Sequence, residues 1–441
     1  MLFSLPQREI EKRIDSREIK IGFIGLGRVG LPLAATLADE GFKVIGVDVK
    51  DKVVAEINSG LSPLPDENGL KELLQKVIAD DTLKATTQLA ETNECDVVII
   101  AVPTLIREKK PQIDAIRVVA GELAQNLMPG KMIILQSTVP PFTTEGVLGK
   151  GIEKSTGLKP GIDFGLAYSP ERTQAPQILQ DLRSYPKIVG GINEKSTFIA
   201  SMIYATFAPS ITKMNSLVAA EIEKVIENSY RDVNIAFANE LARLCEIYRV
   251  DVHEIIKAAN SQPYSHILNP GLVGGHCIPM DPYYIISDAG KRGITLKLMQ
   301  TARDVNESVF QDVVDMIDKG YKKVVILGLS FKKDVKSFET SHTLELVRLL
   351  TEKGYDVTVH DPFLDDAKFQ FKTDSNLYHA LEGSECVILS TAHSMYDQID
   401  FNRIKRTMRG DLIIDTRGTF PPQEVLASGL RYKGIGKVFN D

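Results

Sequence analysis

No apolar run in the 441 residues approaches the ~20 that a membrane-spanning helix needs, so a membrane channel or carrier is not the expectation. The opening stretch Met1–Ile10 lacks the long apolar core of a secretory leader, and a cytoplasmic location is expected. Basic charge is not in surplus: 52 Lys and Arg stand against 58 Asp and Glu, a net charge of −6. That argues against a nucleic-acid backbone as main partner, although a local field can still hold a small anion. The four cysteines, Cys95, Cys245, Cys277 and Cys386, contain no CxxC pair, and the seven histidines are scattered. Zinc and dithiol chemistry therefore find no support, and no metal is expected. Cys95 and Cys386 each open an apolar strand-like run and Cys245 lies in a helical pattern, so all three read as small core residues.

The fourth cysteine is different. It stands in Asn269-Pro-Gly-Leu-Val-Gly-Gly-His-Cys277-Ile-Pro-Met-Asp281-Pro-Tyr-Tyr. Glycines let a backbone approach a ligand closely, and a thiol beside ionisable groups can act as a nucleophilic thiolate. A second signature, Gly25-Leu-Gly27-Arg28-Val29-Gly30, opens in the turn of residues 20–27, which read as a buried strand running into a turn, and precedes a helical stretch, Leu31 to Asp39. Asp48 ends the next strand, Lys43–Asp48, at about the 20-residue distance of a dinucleotide fingerprint. In that context the glycines admit a pyrophosphate to a helix N-terminus, and Asp48 is placed for ribose hydroxyls, which favours NAD over NADP. A redox cofactor together with a nucleophilic cysteine suggests an oxidation through a covalent thioester.

Short apolar strands alternating with helices imply a parallel sheet covered on both faces. The last third repeats the pattern: Lys323–Leu329 resembles Ile21–Leu26, Gly354–Asp361 resembles Gly41–Asp48, and Glu385–Ser390 resembles Glu94–Ala101. The fold class is therefore α/β, with two Rossmann-like doubly wound domains. The second lacks GxGxxG and is expected to bind something other than the dinucleotide. Between them, Asn215 to about Val250 has apolar residues at Val218, Ile222, Val225, Ile226, Val233 and Phe237 and no proline. It reads as a long connecting helix capped by Asn215 or Ser216, of the kind that also forms a dimer seam. The expected domains are 1–212, 213–315 and 316–441.

Other positions say little alone. Lys224 and Asn228 share a face of the long helix, as residues of a solvated surface also would. Glu171 in Ser169-Pro-Glu-Arg172 and Thr138 in Ser137-Thr-Val-Pro140 lie in turns. Lys332-Lys333-Asp334 follows a strand and suits a phosphate or a solvated basic turn.

Together, and in this order, these motifs resemble the UDP-glucose/GDP-mannose dehydrogenase family over essentially the whole chain. Within it, Glu227–Leu241 looks most like enzymes acting on UDP-N-acetylmannosamine, and Pro270–Cys277 also looks like those acting on UDP-N-acetylglucosamine and UDP-N-acetylgalactosamine. The resemblance implies an NAD-binding domain, a central helical dimer region and a UDP-binding domain. It implies a four-electron oxidation of a sugar C6 alcohol to a carboxylate, with a UDP-N-acetylhexosamine as substrate and UDP-glucose as an alternative. Cys277 is then the nucleophile and Lys224 and Asn228 hold the oxyanion. Asp281 is the base for the alcohol and for water, and Glu171 a base in thioester hydrolysis. Thr138 positions a catalytic water or the nicotinamide, and with Thr104 it joins Gly25, Gly27, Arg28, Val29, Gly30 and Asp48 around NAD. Gly274 and Lys332 meet the UDP-sugar.

The chain departs from the family pattern twice. The stretch Gln262–His266 lacks the arginine that reaches across the dimer to the substrate, leaving Tyr264 or His266 for that contact. Glu339 stands where an arginine is usual, leaving Arg417 as the candidate for a phosphate.

Overall fold

Strand alternation carries the architecture. The computed structural model describes residues 1–364 and 369–437. Its strands are β1 (Lys20–Ile24), β2 (Lys43–Val47), β3 (Leu83–Thr86), β4 (Val97–Ile100), β5 (Leu105–Arg107), β6 (Lys110–Gln112), β7 (Met132–Leu135), β8 (Gly165–Tyr168), β9 (Lys187–Gly191) and β10 (Ile211–Met214), followed by β11 (Lys323–Leu327), β12 (Asp356–His360), β13 (Lys372–Asp374), β14 (Cys386–Leu389), β15 (Leu412–Asp415) and β16 (Arg431–Gly434). The first sheet runs β10-β9-β8-β7-β4-β1-β2-β3 and the second β13-β12-β11-β14-β15-β16, with β5 and β6 forming a separate hairpin. Both are doubly wound: the chain starts mid-sheet, builds to one edge, then crosses back. The second sheet is parallel throughout, whereas β8 and β9 of the first pair antiparallel. The wholly parallel expectation is corrected there, because the segment between β8 and β9 returns the chain without a full crossover.

Both faces of each sheet are buried, which is why the strands read as continuous apolar runs. In β4, Val97 and Ile99 join one core while Val98 and Ile100 join the other. In β11, Val324 and Ile326 face one side and Val325 and Leu327 the other. Cys95, Cys245 and Cys386 are buried, and Cys277 is exposed.

The chain groups into two compact units: Met1–Glu227 with Tyr283–Ile294, and Asn228–Pro282 with the chain from Thr295 onward. One helix, Leu217–Tyr248, runs from the first into the second. Ser216 caps it, its Oγ accepting the Ala219 N–H at 3.1 Å. The helix turns polar groups inward: Glu221, Lys224, Asn228, Asp232 and Asn239 are buried, while Ile222, Ile226, Tyr230 and Phe237 are exposed. Among the described residues no helix is long and apolar enough to cross a membrane.

Candidate active site

In the first unit the glycine turn is shaped by what its glycines meet. Gly25 has φ +95°, and a Cβ there would lie 2.4 Å from the Ala101 carbonyl oxygen. A Cβ on Gly30 would lie 1.9 Å from the Gly25 oxygen, so the helix Gly30–Asp39 packs directly against the turn. Gly27 has nothing within 4 Å of where its Cβ would be. That open position at a helix N-terminus fits a pyrophosphate. Asp48 ends β2 half-buried, its Oδ2 accepting Leu26 N–H at 3.0 Å and its Oδ1 accepting Lys50 N–H at 3.0 Å. Val29 precedes the helix, and Arg28 pairs with Asp66 at 2.7 Å. These residues fit NAD.

The turns after β4 and β7 are latched together: Thr104 Oγ1 donates to Thr138 O, and Ser137 Oγ to Val102 O, both at 2.7 Å. Glu221, one helical turn before Lys224, holds the segment that follows. It accepts Phe142 N–H at 2.6 Å, Thr144 N–H at 2.7 Å and Thr144 Oγ1–H at 2.6 Å. Burial pushes its pKa up to about 7 against those hydrogen bonds.

Glu171 is not the free base that the resemblance implies. Its Oε2 meets Lys187 Nζ at 2.7 Å and its Oε1 accepts Arg172 and Thr173 N–H at 2.8 and 3.2 Å. Burial alone would raise its pKa, but Lys187 beside it holds the carboxyl below its ordinary value. A carboxylate so committed is a weak proton acceptor, and here it shapes the turn after β8. Arg172 continues the tie to the long helix through Glu227 at 2.7 Å.

In the second unit the cysteine loop is pinned along its length. Gly271, at φ +146°, donates its N–H to Asn239 Oδ1 at 2.7 Å. Leu272 O accepts Arg417 Nη1 at 3.2 Å, and Gly275 N–H donates to Thr340 O at 2.9 Å. Gly274 admits no side chain: a Cβ would lie 2.8 Å from His342 N. Gly275, at φ +90°, lies against the Phe331 ring. Asp281 N–H returns to Cys277 O at 2.8 Å, closing a helical turn between them. The Asp281 carboxylate is buried and accepts Asn228 Nδ2–H at 2.6 Å. The thiol, a carboxylate one turn on and a carboxamide from the long helix thus stand together in one unit, with Lys224 one turn before Asn228 on the same helix face.

The Lys332 turn sits on a buried imidazole. His393 accepts Asp334 N–H on Nδ1 at 3.0 Å and donates from Nε2 to Asp361 Oδ2 at 3.0 Å. Asp361 also accepts Leu329 and Ser330 N–H at 2.7 and 2.8 Å. It is the positional counterpart of Asp48, fully buried and with its oxygens occupied. Lys332 is half-buried. Arg417 departs from its expected phosphate role. Its guanidinium is buried and donates to Ser390 O at 2.6 Å, to Leu272 O and to His342 Nε2 at 2.6 Å. Burial pushes its pKa down to about 10 and that of His342 well below its ordinary value. Arg417 therefore ties the cysteine loop to the ends of β14 and β15. Tyr264 is 90% exposed and His266 is exposed. Sequence reasoning missed Glu221, Asn239, His342 and His393; only the Asp48/Asp361 repeat carried a signal toward the last of these.

The chain matches the UDP-glucose/GDP-mannose dehydrogenase family in all three of its domains: the NAD binding domain over residues 19–208, the central domain over 218–308 and the UDP binding domain over 325–422. A UDP-N-acetyl-D-mannosamine dehydrogenase of Campylobacter jejuni is 35% identical over 87% of this chain and 98% of its own. The structure of a UDP-N-acetyl-D-mannosamine dehydrogenase of Pyrococcus horikoshii superimposes with a TM-score of 0.88 at 31% identity, covering 95% of this chain and 99% of its own. An NDP-N-acetyl-D-galactosaminuronic acid dehydrogenase of Methanosarcina mazei superimposes with a TM-score of 0.84 at 30% identity, covering 97% and 98%. The chain belongs to the UDP-glucose/GDP-mannose dehydrogenase family and is an NAD-dependent nucleotide-sugar dehydrogenase.

Proposed function

We propose that the protein oxidises the C6 alcohol of a UDP-N-acetylhexosamine, UDP-N-acetyl-D-mannosamine first, to the uronic acid. The observation that carries this reading is the exposed Cys277 on a pinned glycine loop, one turn from an Asp281 held by Asn228. The C. jejuni and P. horikoshii relatives support the choice of sugar. Bound NAD supplies a hydride acceptor for each of two oxidations.

Asp281, directly or through a water, takes the C6 hydroxyl proton as hydride departs, leaving an aldehyde. The Cys277 sulfur bonds to the aldehyde carbon as its proton leaves, assisted by the charge of Lys224. Lys224 and Asn228 steady the resulting oxyanion of the thiohemiacetal. Departure of a second hydride leaves a thioester, which keeps the aldehyde from escaping. Water, deprotonated by Asp281, attacks the acyl carbon; the C–S bond breaks and the carboxylate leaves. One alcohol and one water become one carboxylate, two hydrides and three protons. Thr138 and Thr104 position the nicotinamide end, Lys332 faces the diphosphate, and Gly274 lets the loop lie close to the nucleotide.

The division 1–212, 213–315 and 316–441 is the functional one in this reading: cofactor, catalytic loop with dimer seam, and UDP. The active form is a cytoplasmic homodimer joined through the long helix, with Tyr264 or His266 offered to the partner copy, and the product feeds polysaccharide or glycan synthesis.

The test is the NADH formed per UDP-N-acetyl-D-mannosamine consumed. Two NADH and a carboxylate product are expected, and Cys277→Ser abolishes the carboxylate. One NADH with a free aldehyde, or full turnover by the serine variant, overturns the covalent mechanism. A panel with UDP-N-acetylglucosamine, UDP-N-acetylgalactosamine and UDP-glucose reads the sugar: a higher kcat/KM on one of these replaces N-acetylmannosamine as substrate.

A further inference from the structure

The run Glu227–Leu241, which marks the chain's resemblance to the N-acetylmannosamine enzymes, places two asparagines on the buried side of the long helix. Asn228 and Asn239 are eleven residues apart, three helical turns or about 16 Å along the axis, and so share a face. Each grips one end of the cysteine loop. Asn228 holds Asp281 at the exit. At the entry, Asn239 brackets Gly271 on both backbone groups, accepting its N–H at 2.7 Å and donating to its carbonyl at 3.3 Å. A carboxamide presents a donor and an acceptor on one planar end, so it can pair with a peptide group much as a neighbouring strand does.

A further buried relay fixes the orientation of that carboxamide. Asn239 Nδ2 also donates to Asn306 Oδ1 at 2.8 Å, and Asn306 Nδ2 donates to Asp232 O and Oδ1 at 2.9 and 2.8 Å. Arg303 Nη1 meets Asp232 Oδ1 at 2.5 Å. Asn239, Asn306, Asp232 and Arg303 are all nearly solvent-free. Four buried polar side chains on two helices make an expensive scaffold unless the position of what they hold matters. What they hold is a backbone site six residues before Cys277.

We propose that Asn239 is a positioning residue of the oxidation: with Asn228 it clamps the loop at both ends and sets where the Cys277 sulfur stands when the aldehyde forms. The inference rests on the thioester reading above. The thiol must meet the aldehyde before it diffuses away, so a displaced Cys277 lets the first oxidation proceed and the second fail. Reactions of this kind lose roughly 100-fold for a displacement of about 1 Å.

The test is NADH stoichiometry in Asn239→Leu and Asn306→Leu, with hydroxylamine present to trap free aldehyde. Wild type gives two NADH per sugar and no trapped aldehyde; if it does not, the thioester reading itself fails. Given that control, Asn239→Leu is expected to move toward one NADH per sugar with aldehyde trapped, and to lose roughly 10- to 100-fold in kcat for the carboxylate. The KM for NAD stays within about twofold, since no group of the clamp lies in the cofactor turn. A variant that keeps two NADH per sugar overturns the positioning role, whether its kcat is unchanged or merely reduced, because general destabilisation lowers both oxidations together. Should Asn239→Leu not fold, Asn306→Leu, which removes the relay and leaves the bracket on Gly271, carries the same criterion.

Discussion

Gly27 and Gly30 lie three residues apart in one turn, yet different neighbours forbid a side chain at each. At Gly30 the neighbour is the protein: a methyl group would lie 1.9 Å from the Gly25 carbonyl oxygen, and the backbone must move. At Gly27 nothing stands within 4 Å, so only a ligand can object. Gly27→Ala should therefore keep the thermal midpoint of wild type and weaken NAD binding by about tenfold or more. Gly30→Ala should lower the midpoint by several degrees and weaken NAD binding as well. Calorimetric titration with NAD beside a melting curve separates them. A Gly27→Ala protein that binds NAD normally would remove the pyrophosphate from that position. At this scale the sequence displays residues whose type is locally odd: Cys277 among glycines, Asp281 one turn on, the glycine fingerprint. It hides Glu221, Asn239 and His393, because a polar residue that will be buried looks the same in a sequence as one that will be solvated. Their partners lie 77, 32 and 32 residues away in Thr144, Gly271 and Asp361.

The βαβ element occurs at the start of each sheet, and the two differ at one carboxylate. In the first, Gly25 N–H donates to Val47 O and Asp48 accepts Leu26 N–H. In the second, Gly328 N–H donates to His360 O and Asp361 accepts Leu329 N–H. The repeat was legible from strand patterns alone. The difference was not: Asp48 is half-buried, whereas Asp361 is fully buried under His393 and has no oxygen left for a ribose. The carboxylate that is half-buried in one copy is a buried clamp in the other, and through His393 it fixes the left-handed Asp334 (φ +57°) in the Lys332 turn. Removing the imidazole leaves a buried carboxylate and a backbone N–H without their partner, at a cost of about 1–3 kcal/mol to the turn. His393→Ala should accordingly raise the dissociation constant for UDP by about tenfold and leave that for NAD unchanged. Equal UDP affinity in the folded variant would mean that the Lys332 turn does not meet the nucleotide.

At the scale of the whole molecule, the long helix Leu217–Tyr248 buries several polar side chains among small and apolar ones and leaves large apolar ones exposed. Its buried side carries Glu221, Lys224, Asn228, Asp232 and Asn239, and its exposed side carries Ile222, Ile226, Tyr230, Phe237, Leu244, Ile247 and Tyr248. The sequence period identified an amphipathic helix correctly, but period alone does not say which face turns inward. Here the inward face mixes Val225, Ala238, Ala242 and Cys245 with polar groups, several of which hold the loop and turns by hydrogen bonds at fixed places. The apolar face is left outside, at spacings of three, four and seven that make one continuous stripe. A stripe of that length and composition is unfavourable in water, and a second copy of the same helix is the occupant that a homodimer supplies. Phe237, at 54% exposed, lies on that stripe and outside every hydrogen bond of the loop clamp. Light scattering should therefore give twice 48.7 kDa for wild type and 48.7 kDa for Phe237→Asp. The variant should keep NAD binding, since the glycine turn is complete within one chain. Its turnover tests the first departure from the family pattern, at Gln262–His266. If Tyr264 or His266 serves the partner's substrate, the monomeric variant loses kcat/KM for the UDP-sugar, and single substitutions at Tyr264 or His266 in the dimer reproduce the loss. A wild-type protein that is monomeric at the concentration where it turns over would leave those two residues without a substrate to reach.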